Sequence, residues 1–151
     1  MRAGGPRVDP LPHHYRVETS LGPEGEVWLR SESLPALATA PPAAFGGPGD
    51  HWSPETLLVA AVADCFALGF RAIASASRLE WRELACRVDG TLERSEGRTR
   101  FTRVRIEARL KLPAAADPER GRRLLEKAEK ACLITNSLSA EVELDAAVEI
   151  G

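Results

Sequence analysis

Three cysteines, at positions 65, 86 and 132, are the residues of this chain whose chemistry extends beyond packing. A thiolate is a nucleophile and a reductant; once oxidised to a sulfenic acid it condenses with a second thiol to a disulfide. Three cysteines without CxxC spacing make neither a disulfide framework nor a structural zinc site. In a reducing compartment, thiols that matter are catalytic or redox-active. Cys65 lies in "SPETLLVAAVADCF", residues 53–66, where the apolar setting raises a thiol's pKa and the neighbouring Asp64 opposes a thiolate. A reactive Cys65 therefore needs a cation from elsewhere, and a merely buried thiol is the alternative. Cys86 alternates with Leu84 and Val88 on one face of a strand, where a free cysteine behaves as a small hydrophobe. His13-His14 lacks a third metal ligand at useful spacing and reads as a solvated strand end. His51 and Trp52, directly before a helix start, suit either staple-like packing or the lining of a pocket.

The elements that must position these groups follow from periodicity. "HHYRVETSLGPEGEVWLRSE" predicts two short strands around a turn at residues 22–25. Residues 34–50, with four prolines and three glycines, predict a long loop of the kind that is functional or disordered. A helix starts at Ser53 as N-cap, with Pro54 at its first position and Glu55 where the helix dipole favours an anion. It should run to about Ser77. Between Leu57 and Ala76 its only charges are Asp64 and Arg71, so it must be a central, buried helix.

"RELACRVDGTLER" and "RVRIEARLKL" alternate apolar and polar residues on either side of Ser95-Glu96-Gly97 and form a hairpin. A second helix opens on Asp117-Pro118 and puts Leu124, Leu125, Ala128, Ala131 and Cys132 on one stripe, with Cys132 on the buried face of its last turn. Asn136 and Ser137 satisfy backbone groups as the chain leaves this helix. The final "EVELDAAVEI" has an acidic outer face suited to a place beside the Arg-rich strand 103–111. The order β-β-α-β-β-α-β predicts a single α+β domain with antiparallel sheet packed on two helices, its first dozen residues frayed.

Composition excludes several function classes. With 20 Lys+Arg against 22 Asp+Glu, the net charge of −2 offers no footprint for nucleic acid. The longest apolar run, Leu57 to Ala63, is far shorter than the ~20 residues of a membrane span, and "MRAGGPRVDPLPHHYR" has no signal-peptide core. The expected compartment is the cytoplasm, with no membrane partner and no cofactor.

"SPETLLVAAVADCF" together with "EKACLITNSL", whose cysteine lies 67 residues after Cys65, resembles the osmotically inducible protein C and organic hydroperoxide resistance family, OsmC/Ohr. The resemblance covers both motifs, the element order and the length. It implies an intertwined homodimer with two long central helices, and a thiol peroxidase in which Cys65 attacks an organic hydroperoxide and Cys132 resolves the sulfenic acid as a disulfide. It further implies a dithiol reductant, typically a lipoylated protein. Walls from Leu57, Leu58, Phe66 and Phe70 would suit a bulky organic peroxide.

The family also holds its thiolate with an Arg–Glu pair. Glu55 matches the glutamate, and aligning "GPEG" with the family's turn puts Arg16 at the arginine position, with Arg30 and Arg71 as substitutes. Arg71, two helical turns beyond Asp64, could instead neutralise that acid. Ten residues separate Glu55 and Cys65 by about 15 Å and about 80° around a straight helix, so they cannot touch directly. An arginine must bridge them, or Glu55 serves a site completed by a partner chain. The 34–50 loop holds no arginine, which keeps a second hypothesis open: a dimeric binding protein for a small lipophilic ligand, with both cysteines merely buried.

Overall fold

The amphipathic patterns above are realised as two compact units, Met1–Pro54 and Glu55–Gly151, in a computed structural model that describes residues 7–151. The fraying expected of the first dozen residues falls partly on 1–6, outside the described residues; residues 7–12 take neither helix nor strand.

In the N-terminal unit, β1 (Glu18–Ser20) and β2 (Val27–Arg30) pair antiparallel around a turn in which Gly25 has φ 92°, a conformation open to glycine because it lacks a Cβ. The segment expected to be a long loop is more structured than its prolines suggest. Leu37–Thr39 forms β3, antiparallel to β2, and Ala43–Phe45 makes a 3-10 turn. Tertiary pairing overrides local composition here: Thr39 Oγ1 donates to the Val27 carbonyl at 3.4 Å and the Ala40 amide donates to the Trp52 carbonyl at 3.0 Å.

The C-terminal unit is built on α1 (Pro54–Ala76), which begins directly after Ser53 with Pro54 in its first turn, as the cap signals require. Its buried residues are Val62, Phe66, Phe70 and Ala74, one i, i+4 stripe. The expectation of burial all round is therefore not met within one chain: Leu57, Leu58 and Ala61 are half-buried and Leu68 is exposed. Judged as a whole helix rather than by its uninterrupted apolar run, α1 is long and apolar enough to cross a membrane, with 23 residues and a mean hydropathy of 1.9 in its best window. A spanning placement would put Asp64 and Arg71 in hydrocarbon. Here the stripe instead enters the protein core, where Phe70 meets Trp81 edge to face at 5.4 Å.

The hairpin expected after α1 is β4 (Glu83–Ser95) and β5 (Arg98–Leu112). Its two-residue turn has Glu96 at φ 51° and Gly97 at φ 78°, the double positive φ that matches strand twist. Gly90 lets α1 approach the sheet, since a Cβ there would lie 2.8 Å from Val59 Cγ2. Then α2 (Pro118–Lys130) opens on Asp117, whose carboxylate accepts from the Glu119 amide at 3.0 Å, as expected. A single turn, α3 (Leu133–Asn136), leads to β6 (Glu141–Ile150).

β6 lies beside the Arg-rich strand as expected, with Arg105 paired to Asp145 at 3.1 Å. It runs parallel to β5, however, so the sheet β4-β5-β6 is mixed rather than antiparallel throughout. Alternation of apolar and polar residues reports which face is covered, not strand direction. Direction is set by the connection: α2 and α3 carry the chain back across the sheet, as parallel neighbours demand. Gly121 of α2 sits against Leu110, Leu112 and Val148, and Arg122 Nη1 donates to the Ala146 carbonyl at 2.8 Å. The fold class is α+β.

Candidate functional site

The two cysteines 67 residues apart in sequence meet in space. Cys65 projects from the middle of α1, half-buried; Cys132 follows α2 at the N-cap position of α3, with 2% of its surface exposed. Both are free thiols, near enough for the Cys65 S–H to favour a negative charge on the Cys132 sulfur. Periodicity places Cys132 on the last turn of the second helix. That helix stops at Lys130 instead, and Cys132 sits in extended conformation at ψ 113°. The break turns its side chain to face α1.

Burial pushes the Cys132 thiol up, but neutral donors outweigh it: the Thr135 hydroxyl and amide, the Cys65 thiol and the Ile134 amide together bring it below the ordinary cysteine value. Thr135, buried at 6% exposure, is a site neighbour that sequence reasoning missed. A hydroxyl three residues after a cysteine at a helix start is the signal that pointed to it. Asn136 and Ser137 do what was expected, donating to the carbonyls of Lys130 at 3.3 Å and Leu133 at 2.9 Å.

Asp64 is exposed while Cys65 is half-buried, so the acid points to solvent, as successive residues 100° apart on a helix permit. Among the described residues it forms no ion pair, Arg71 included. Glu55 stands in the first turn of α1, and its Oε2 is the buried side-chain oxygen without a hydrogen-bond partner among the described residues. An uncompensated buried carboxylate oxygen is costly, which marks Glu55 as a residue built to meet a donor.

Arg16 belongs to the N-terminal unit, where it precedes β1 and lines a hollow of about 870 Å³ with Tyr15, Arg30 and Glu32. Its carbonyl accepts from Ser31 Oγ at 2.9 Å. Arg30 is committed to its own sheet, with Nη1 3.4 Å from Ser20 Oγ and the guanidinium 5.8 Å from the Trp28 ring centre. Phe66 and Phe70, expected to wall a peroxide pocket, lie fully inside the core on the stripe that faces the sheet. Cys86 is half-buried against the same core and its thiol is pushed up by burial, consistent with a packing role.

His51 is a structural clamp within the N-terminal unit. Nδ1 lies 2.6 Å from Asp50 and Nε2 3.2 Å from Glu26, ahead of β2. The hydrogen bond to Asp50, then that to Glu26, raises the His51 pKa above 6.5, and the same contact lowers that of Asp50. The imidazolium form is thus favoured in the folded protein. Its stabilising contribution is complete below the unfolded histidine value and fades as pH rises through the folded one; that of Asp50 is lost as pH falls through its lowered value. A proton NMR titration should therefore find the His51 midpoint above the ordinary value, and Glu26→Gln should lower it; an unchanged midpoint in that variant would remove Glu26 from the clamp.

Among the described residues no group of His, Cys, Asp and Glu is arranged to hold a metal. The model of the OsmC-like protein family matches residues 47–147. The uncharacterised protein YmaD of Bacillus subtilis is 29% identical over 145 residues, covering 92% of this chain and 97% of its own. An OsmC-like protein of unknown function from Vibrio cholerae superposes with a TM-score of 0.83 at 17% identity, over 90% of this chain and all of the other. An organic hydroperoxide resistance protein OsmC from Legionella pneumophila does so at 0.72 and 21%, over 93% and 99%. At these identities the structural likeness is one of fold.

Proposed function

The chain belongs to the OsmC-like protein family, and from that premise we propose that it is a cysteine-based peroxidase acting on organic hydroperoxides. The observation that carries this reading is the contact between the Cys65 and Cys132 thiols, one on α1 and one at the start of α3. Two sheltered thiols brought together across elements have the arrangement that attack and resolution need.

In the proposed cycle the Cys65 thiolate attacks the distal peroxide oxygen, the O–O bond breaks, and the alkoxide takes a proton to leave as alcohol. Cys65 is left as a sulfenic acid. The Cys132 thiolate then attacks the Cys65 sulfur, hydroxide leaves and is protonated to water, and a disulfide remains. A dithiol, of the lipoylated kind, reduces that bond by thiol–disulfide exchange. Glu55 and Arg16 serve in the proposal as the pair that stabilises the attacking thiolate; the unpartnered Oε2 of Glu55 supports its share. A cytoplasmic homodimer completes the reading. The apolar residues that α1 leaves uncovered, Leu68 at 46% exposure among them, suit burial against a second copy.

Stoichiometric cumene hydroperoxide added to the reduced protein tests the proposal. Peptide mass analysis should find a Cys65–Cys132 disulfide within one chain and one alcohol released per chain. Peroxide left intact, with both thiols unmodified, would overturn it.

A further inference from the structure

The outer face of the β4-β5-β6 sheet changes character at one register shift. Thr91 pairs with Arg103 and Leu92 with Phe101, which leaves Thr102 as an extra residue, a β-bulge. Residues three apart stand on opposite faces of a regular strand. Here the bulge turns Arg100 and Arg103 to the same face, that of their cross-strand partners Glu93 and Thr91. β6 begins at Glu141, opposite Arg103, so the hairpin beyond the bulge overhangs the sheet. The two arginines and the hydroxyls of Thr91, Ser95 and Ser139 line a hollow of about 490 Å³ there.

The hollow is rich in donors that lack a charged acceptor. Among the described residues the half-buried Arg100 guanidinium meets neutral oxygens, each at the long end of the range: Ser95 Oγ and the Phe101 carbonyl at 3.4 Å and Ser139 Oγ at 3.5 Å. Each serine accepts there and keeps its own proton to donate. Among the described residues neither Arg100 nor Arg103 forms an ion pair, although Glu93 and Glu141 are their cross-strand neighbours. Glu93 is held instead by the Thr102 hydroxyl, 2.5 Å from its Oε1.

We infer that the hollow at the hairpin overhang binds a phosphate monoester, with Arg100 and Arg103 against the phosphate. Two guanidinium charges match a dianion. A tetrahedral group also offers oxygens toward donors converging from β4, β5 and the segment before β6, whereas one guanidinium fork satisfies a planar carboxylate. The volume exceeds what a bare phosphate needs and lies in the range of small-molecule sites. Glu141 leaves a carboxylate to accept from a hydroxyl of the ligand's organic part. With Glu93 it also opposes a polyanion such as nucleic acid, in keeping with the net charge of −2. The site uses neither Cys65 nor Cys132 and stands apart from the peroxidase reading.

Isothermal titration calorimetry of the full chain at low ionic strength tests the inference. Glycerol phosphate should bind, while glycerol should not. Arg100→Gln should weaken binding about tenfold or more, as loss of hydrogen bonds to a charged group does. Ser139→Ala should weaken it about fivefold, and decides the matter if the Arg100 variant does not fold. Arg109→Gln removes the same charge about 20 Å away along β5, where the cross-strand neighbours are Ala85 and Ala147, and should leave binding unchanged. The source of the phosphate is read from cosedimentation with phosphatidylcholine vesicles that contain phosphatidic acid. Capture by vesicles alone assigns the phosphate to a lipid headgroup, and uptake of glycerol phosphate alone assigns it to a soluble ester; either result, lost in Arg100→Gln and kept in Arg109→Gln, supports the site. Binding of neither probe, or equal weakening by Arg100→Gln and Arg109→Gln, would overturn the inference.

Discussion

Cys65→Ser is expected to abolish turnover of cumene hydroperoxide with a lipoyl dithiol, by roughly a thousandfold or more in stopped-flow consumption, as removal of a nucleophile does. A serine hydroxyl is a far poorer nucleophile than a thiolate at neutral pH, and the remaining thiol of the site, Cys132, is closed to a bulky peroxide with 2% of its surface exposed. Cys86, half-buried with its thiol pushed up by burial, is not a substitute. Cys132→Ser should behave differently: one alcohol released per chain, then arrest at the Cys65 sulfenic acid. The contrast is diagnostic, because a chain in which both thiols merely pack would show no difference between the two variants. Equal peroxide consumption by the wild type and Cys65→Ser would sink the proposal, and repeated turnover by Cys132→Ser with the lipoyl dithiol would remove that residue from the cycle.

Phe66→Ala is expected to cost about 3–5 kcal/mol, measured by urea unfolding, against the ~5–15 kcal/mol that holds a domain of this size together. Phe66 is fully buried and lies one helical turn before Phe70, on the stripe that joins α1 to β5 and α2. Removing its ring leaves a cavity in a close-packed core that relaxes only partially around it. Phe66→Leu retains most of the volume and should lose much less. A loss below about 1 kcal/mol for the alanine variant would mean that α1 is held chiefly by contacts other than this stripe. The result bears on function as well as stability, since α1 carries Cys65 on the turn that Phe66 and Phe70 fix against the sheet.

Much of the fold is written in local signals. Ser53-Pro54-Glu55 and Asp117-Pro118 mark two helix starts because capping needs only neighbouring residues. Glu96-Gly97 marks the hairpin because few residues accept two positive φ angles in succession. Elsewhere local signals fall short for identifiable reasons. β3 lies hidden in a proline-rich segment because its strand character comes from pairing with β2. The parallel direction of β6 leaves no trace in its alternation, because one covered face looks the same in either direction. Phe66 and Phe70 suggest a ligand pocket in the sequence, and the core in the fold, since a helix apolar on most sides does not say which side meets its own sheet.

The candidate site divides in the same way. Residue types show that Cys65 and Cys132 carry thiols and Glu55 a charge, but they leave merely buried thiols open; it is the resemblance of "SPETLLVAAVADCF" and "EKACLITNSL" to the OsmC/Ohr family that singles these residues out. That the two thiols meet is decided by the crossover of α2 over the sheet and by the break after Lys130, which together bring a residue 67 positions away onto α1. The state of the Cys132 thiol is decided there too. A pKa depends on which donors surround a buried sulfur, and Thr135, Ile134 and Cys65 become its neighbours only when the chain has folded.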